Sequence, residues 1–201
     1  LTNNDTIRGS NLYFDSTTSL AGTGAYTANN ISVRSTGNVS LANNLTFSPT
    51  PNFTVNTGGV FNPNTRTFTI NTGTFTAVSG SNISNSGIFQ TQGTVSMILK
   101  IGSTFNAPFK VNSGTTTSYD DGSPFISDYK GSMTVDAGAI MTTPGGGYSI
   151  RSLGNSVING TISGNNYIVR GPSLSNNGTI NANNLQFDST TLVTSTGTFS
   201  S

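Results

Sequence analysis

The 201-residue sequence contains no cysteine, no histidine, no tryptophan and no glutamate. Without cysteine or histidine there is no disulfide framework, no thiol or imidazole chemistry, and none of the usual ligand sets for zinc or iron. Charge is scarce: 7% of residues carry one, and the net charge is +1. All seven acids are aspartates, namely Asp5, Asp15, Asp120, Asp121, Asp128, Asp136 and Asp188, and the eight basic residues are scattered singly. A nucleic-acid footprint needs basic side chains clustered on one face, so that class of partner is set aside. The longest apolar run, Val95–Leu99, stops at Lys100 and is far too short to cross a bilayer. With no basic-then-apolar leader before Leu1, the sequence is expected to be a mature or excised segment whose export route is not visible.

What fills the chain instead is 33 Thr, 28 Ser, 26 Asn and 24 Gly, together 111 of 201 positions. Disordered chains stay soluble through high net charge and few aromatic or β-branched residues. This one has net +1, 12 Phe and 6 Tyr, so it must fold as β-structure or aggregate. Asn, Ser, Thr and Gly are poor helix-interior residues, which disfavours a helical fold.

Internal repetition is the strongest organising signal. Residues 1–18, LTNNDTIRGSNLYFDSTT, match 174–191, LSNNGTINANNLQFDSTT, at 12 of 18 positions with one offset of 173. The reading is one solenoid over 1–201, with 1–173 as one period of a tandem repeat and 174–201 as the start of the next. Shorter echoes occur inside it, since 37–47 shares Ala-Asn-Asn-Leu-x-Phe with 177–187.

Locally, apolar and small polar residues alternate over short runs in 52–61, 65–76, 131–141 and 156–164. Each run closes on Asn-Thr-Gly, Asn-Asn-Gly, Asp-Ala-Gly or a similar group, residue types that supply positive φ or side-chain turns. Regular glycine spacing, coil-like echoes and Asn runs able to stack between rungs as hydrogen-bonded ladders predict an all-β fold: a parallel β-solenoid, a right-handed β-helix with short Asn/Gly turns. With rungs about 4.8 Å apart, about eight coils per period give a rise near 40 Å. The interval 114–130 breaks the rhythm, with three acids, a Pro and two Tyr, and is expected to be a loop projecting from one corner.

These phrases, above all 176–187 and 154–166, resemble the right-handed β-helical passengers of bacterial autotransporters and filamentous-haemagglutinin-like adhesins. The resemblance is one of pattern over nearly the whole chain, and it transfers no catalytic or binding motif. It implies export, a three-sided parallel coil, and roles in surface attachment, matrix or filament formation.

Few residues are candidates for chemistry. Some β-helical proteins cleave polysaccharides with paired carboxylates, which draws attention to Asp120, Asp121, Asp128 and Asp136. No Glu or His accompanies them and the order of a calcium loop is missing, so Asp120, Asp121 and Asp128 are weak metal candidates and a solvated loop is the simpler reading. Eight asparagines sit in N-x-S/T sequons: Asn4, Asn30, Asn38, Asn44, Asn52, Asn82, Asn159 and Asn177. In so Asn-rich a chain many such triplets arise by chance. Thr65, Thr67, Thr69, Thr72, Thr74 and Thr76 alternate in a pattern that could order water as an ice-binding face, or simply form an exposed strand face. Phe14, Phe47, Phe89, Phe105 and Phe187 read as stacked core aromatics before a sugar-stacking platform. Leu12, Phe14, Leu185 and Phe187 are expected to point inward at equivalent depths. No cofactor is expected. The expectation is a non-enzymatic structural component of an extracellular microbial fibre or surface protein, with its own neighbouring units as partners. The alternatives are an adhesin for surface glycans, an ice-binding protein, or a polysaccharide-cleaving β-helix.

Overall fold

A strand sends alternate side chains to opposite faces, so a chain that alternates apolar and small polar residues can bury one set and solvate the other. In the computed structural model, which describes residues 1–47, 52–84, 86–120, 126–187 and 190–201, this happens strand after strand. In Asn52–Val55, for example, Phe53 and Val55 are buried while Asn52 is exposed. All described elements are strands and no helix is present among them. Every strand pairing is parallel, and the chain winds as a β-solenoid of about nine turns. The described strands form three sheets of twelve, five and eight members.

Register is set by this alternation, because a one-residue slip would turn the whole apolar set outward. One outward column runs Asn30, Asn52, Thr74, Ser96, Thr117, Thr142, Ser163, Asn181 and Ser200, each residue paired with the next. One position along, the inward column runs Val95, Thr116, Met141, Ile162, Ile180 and Phe199. Side chains bonded across one coil are 19 residues apart at Asn11–Asn30, 22 at Asn30–Asn52 and 18 at Asn165–Asn183.

One corner shows why glycine recurs. Gly58, Gly80 and Gly102 have φ of 76°, 76° and 81°, a region L side chains rarely occupy. Each closes a turn in which the following residue donates back to the carbonyl three positions earlier, as in Gly59 to Asn56 and Ser81 to Val78. The turns also bond to one another: the Gly58 N–H donates to the Gly80 carbonyl and the Gly80 N–H to that of Gly102, each at 3.0 Å. The corner is thus a ladder of its own.

The interior is filled from Phe14 to Ala182 by one apolar cluster. Phe47, Phe53, Phe61, Phe68, Phe75, Phe89, Phe105 and Phe109 lead to Tyr129, with neighbouring ring centroids 4.6 to 6.5 Å apart and mostly edge-on. Such pairs add roughly 0.5–1.5 kcal/mol each beyond area burial.

Two expectations need correction, and one open point is decided. The interval 114–130 is not one projecting loop: Thr115–Tyr119 and Ile126–Tyr129 are strands in register with their neighbours. Its inward side chains include Thr116 and Ser118, buried hydroxyls that replace the usual apolar residue and hide the alternation. The Thr116 hydroxyl bonds that of Thr91 at 2.7 Å, and Ser118 bonds the Tyr129 hydroxyl at 2.8 Å. Second, the asparagine ladders face solvent. Asn30 Nδ2 donates to Asn11 Oδ1, Asn52 Nδ2 to Asn30 Oδ1, and Asn183 Nδ2 to Asn165 Oδ1, all exposed. Apolar volume takes the interior and amides take the rim, where their spare N–H groups reach water. Third, Thr65 is not in a strand; it sits in a turn at φ 63°, and Thr69 is buried, so the 65–69 set makes no flat hydroxyl face.

Candidate functional site

Two places could carry function: the acidic region and the two end coils. In the first, Asp128 is placed by strand Ile126–Tyr129 beside Arg151 on strand Ser149–Ser152. Arg151 Nε and Nη2 donate to the two Asp128 oxygens at 2.6 and 2.5 Å, a forked pair that fits the planar guanidinium. That hydrogen bonding holds the Arg151 pKa above its ordinary value, against the effect of burial. Asp120 is buried and Asp136 pairs with Lys110 at 2.9 Å. The solvated-loop reading therefore fails for Asp120 and Asp128, and Asp121 lies outside the described residues. Among the described residues no three acidic side chains gather as a metal site. A cleft of about 110 Å³ lies beside them, lined by Lys100, Ile101, Ser103, Asp120, Asp128 and Arg151.

Of the sequon residues, Asn4, Asn30, Asn38, Asn44, Asn52, Asn159 and Asn177 are exposed and Asn82 is half-buried. Several are engaged in structure: Asn177 Nδ2 donates to Asn159 Oδ1 at 3.0 Å, and Asn44 Oδ1 accepts from the Thr67 N–H at 2.9 Å.

The end coils share one register where both are paired. Strand Thr6–Phe14 pairs with Ala25–Val33 so that Thr6 meets Ala25 and Ile7 meets Tyr26. Strand Thr179–Phe187 pairs with Thr198–Ser200 so that Thr179 meets Thr198 and Ile180 meets Phe199, the same register 173 residues later. The turn before each strand is held by a buried asparagine that sequence reasoning missed. Asn3 Nδ2 donates to the Ala25 carbonyl at 2.9 Å while Asn3 Oδ1 accepts from the Asp5 N–H at 3.2 Å. Asn176 Nδ2 donates to the Thr198 carbonyl at 3.1 Å while Asn176 Oδ1 accepts from the Gly178 N–H at 3.2 Å. The signal was present: Asn3 and Asn176 are identical across the repeat, preceded two residues earlier by Leu1 and Leu174.

Burial separates the two coils. Leu12 and Leu185 are each half-buried against the core. Phe14 is 5% exposed, Phe187 44%. Equivalent depth therefore fails for the phenylalanines, and the reason is local: Asn30–Val33 covers Asn11–Phe14, whereas Thr179–Phe187 is covered only at Thr179, Ile180 and Asn181.

No family model, curated protein or solved structure matches the chain.

Proposed function

We propose that this chain is a structural coil of an extracellular microbial fibre or large tandem-repeat surface protein, of the autotransporter-passenger or filamentous-haemagglutinin-like kind. It works by stacking rather than by chemistry. The observation that carries this reading is the core itself, an apolar stack continuous from Phe14 to Ala182 with backbone ladders along its whole length. A rod built this way transmits load along its axis through hydrogen bonds and packed rings, and its Asn, Ser and Thr rim keeps it solvated. Immunogold labelling of the producing cells tests the proposal: label on extracellular fibres or the cell surface supports it, and label confined to the cell interior contradicts it.

A second reading, a surface-binding adhesin, is favoured by the cleft at Lys100, Asp120, Asp128 and Arg151, which brings cationic and anionic side chains together at one corner. Binding on a glycan array that is lost in Arg151→Ala would support it over the purely structural role.

A further inference from the structure

The sequence repeat and the coil do not share a period. The twelve-stranded sheet wraps a corner, because its four nine-residue strands, Thr6–Phe14, Ala25–Val33, Thr161–Val169 and Thr179–Phe187, each bend in the middle. At the bend the ladder passes over Ser10 and Asn29, and again over Asn165 and Asn183. The buried side of the alternation slips there by one residue, from Tyr26 and Ala28 to Ile31 and Val33. A slip of one would turn the apolar set outward on a flat strand, so the chain turns with it.

The two copies of the repeat fall on different sides of these bends. Asn11–Phe14, after the first bend, pairs with Asn30–Val33, and this face runs rung by rung to Thr161–Ser163 and Thr179–Asn181, before the last bend. The equivalents of Asn11–Phe14 at the offset of 173, Asn184–Phe187, lie past that bend, on the face of Asn166–Val169, Ser149–Ser152 and Ile126–Tyr129. That face continues the five-stranded sheet, since the Lys130 N–H donates to the Phe105 carbonyl at 3.0 Å, as Arg34 does to Phe14 where their rungs pair. The next segment moves likewise. Leu20 pairs with Leu41 in the five-stranded sheet, whereas its equivalent Val193 pairs with Leu174 in the eight-stranded one. One column carries Asn11 to Asn181 in eight rungs, and the second copy then begins one face further round. The repeat is therefore eight coils plus one face of three.

We infer that a tandem array of this repeat advances by a third of a turn per period and so presents each equivalent surface on three sides of the rod in turn. Rotation per repeat is what sets the course of a surface along a solenoid. With strands about 4.8 Å apart, one period rises about 40 Å, and equivalent surfaces return to the same side after about 120 Å. Asn4 and Asn177, and Asn11 and Asn184, are exposed in both copies and mark such surfaces. A repeat of whole coils would set them in one stripe facing one partner. Here a flat partner reaches equivalent patches only about every 120 Å, while partners around the rod reach them equally on every side. This inference rests on the tandem-repeat reading above and supplies the geometry of that array.

The test is a chain of residues 1–173 repeated four times and closed by 174–201, with Ser19→Cys in each period. Ser19 is exposed and the chain has no other cysteine, so each period takes one maleimide-gold label. Cryo-electron microscopy is expected to place each label about 40 Å further along and near a third of a turn round, with the fourth over the first. Labels along one side, or a fourth label away from the first, overturn the inference. Helical reconstruction of unlabelled native fibres reads the same step without a substitution: a rotation near a third of a turn per period supports it, and one near zero overturns it. A third-turn step in a protein that immunogold confines to the cell interior would remove the extracellular role and leave this geometry standing. Surface fibres with labels along one side would do the reverse, so the two failures are told apart.

Discussion

The middle coils and the C-terminal coils fill the same kind of tube with different material. From Phe47 to Tyr129 the interior is a run of edge-packed rings; from Met133 to Ala182 it is Met, Ile, Val, Leu and Ala with one ring, Tyr167. Register partners are 22 residues apart at Phe53–Phe75 and 20 at Phe89–Phe109 in the first region, and 23 at Met133–Ser156 and 18 at Ile162–Ile180 in the second, so the change of filling does not track coil length alone. Interiors pack to near-crystalline density, so each coil must be filled by side chains of matching volume. A narrow coil crowded with rings would be strained, and a wide one filled with Val would be hollow. Buried hydroxyls sit where the two regimes meet, at Thr91, Thr116, Ser118 and Tyr129, each in a hydrogen-bonded pair.

The largest test of this contrast is truncation at matched burial. Phe75→Ala, in the ring stack, is expected to cost about 3–5 kcal/mol, and Ile162→Val, in the narrow coils, about 0.5–1.5 kcal/mol. Chemical denaturation of both variants checks it, and similar losses would break the comparison.

Next comes pH, which reads the two buried tyrosines. Burial pushes the phenols of Tyr129 and Tyr167 up, that of Tyr167 to about 12, with the Ser118 hydrogen bond lowering the first in part. A folded-state pKa above the unfolded value near 10 means that the folded form keeps its protons longer. Stability is therefore expected to be fully present below pH 10 and to fall as pH rises above it, by on the order of 2–3 kcal/mol for Tyr167 at one pKa unit per 1.36 kcal/mol. Thermal melts between pH 8 and pH 11.5 show the decline, and Tyr167→Phe reduces it.

Smaller still is the contrast between these hydroxyls at neutral pH. Tyr129→Phe strands the buried Ser118 hydroxyl and is expected to cost about 1–3 kcal/mol. The Tyr167 hydroxyl makes no hydrogen bond in the folded chain, nor do those of Ser152 and Ser156. Tyr167→Phe is thus expected to cost less than about 1 kcal/mol or to stabilise, because it removes a desolvated polar atom without breaking a bond. Last, Asp128→Asn is expected to cost about 1 kcal/mol through its pair with Arg151, and the loss shrinks in high salt.

How much of this was legible follows the same physics. The parallel solenoid could be read from alternation and from glycine at the turns, because those patterns are imposed by side-chain direction and by positive φ at Gly58, Gly80 and Gly102. Strand Thr115–Tyr119 was hidden because Thr116 and Ser118 point inward and are satisfied by the hydroxyls of Thr91 and Tyr129, and a polar residue at an inward position looks like a loop. The side on which asparagines stack was not legible: a ladder is compatible with either face, and only the aromatic volume inside decides it. At the ends, the shared geometry of Asn3 and Asn176 was implicit in the repeat, yet their turn-holding role depends on carbonyls at Ala25 and Thr198 that lie 22 residues away. The exposure of Phe187 depends on which rung lies above it, which the local sequence around it does not state.

The most direct test of the structural account is fibre diffraction from aligned native material. Strands that run across the axis and stack along it predict a strong meridional spacing of about 4.8 Å, with an axial unit near 40 Å for about eight rungs. A 4.8 Å reflection on the equator instead, or none, would contradict an architecture in which these coils stack end to end.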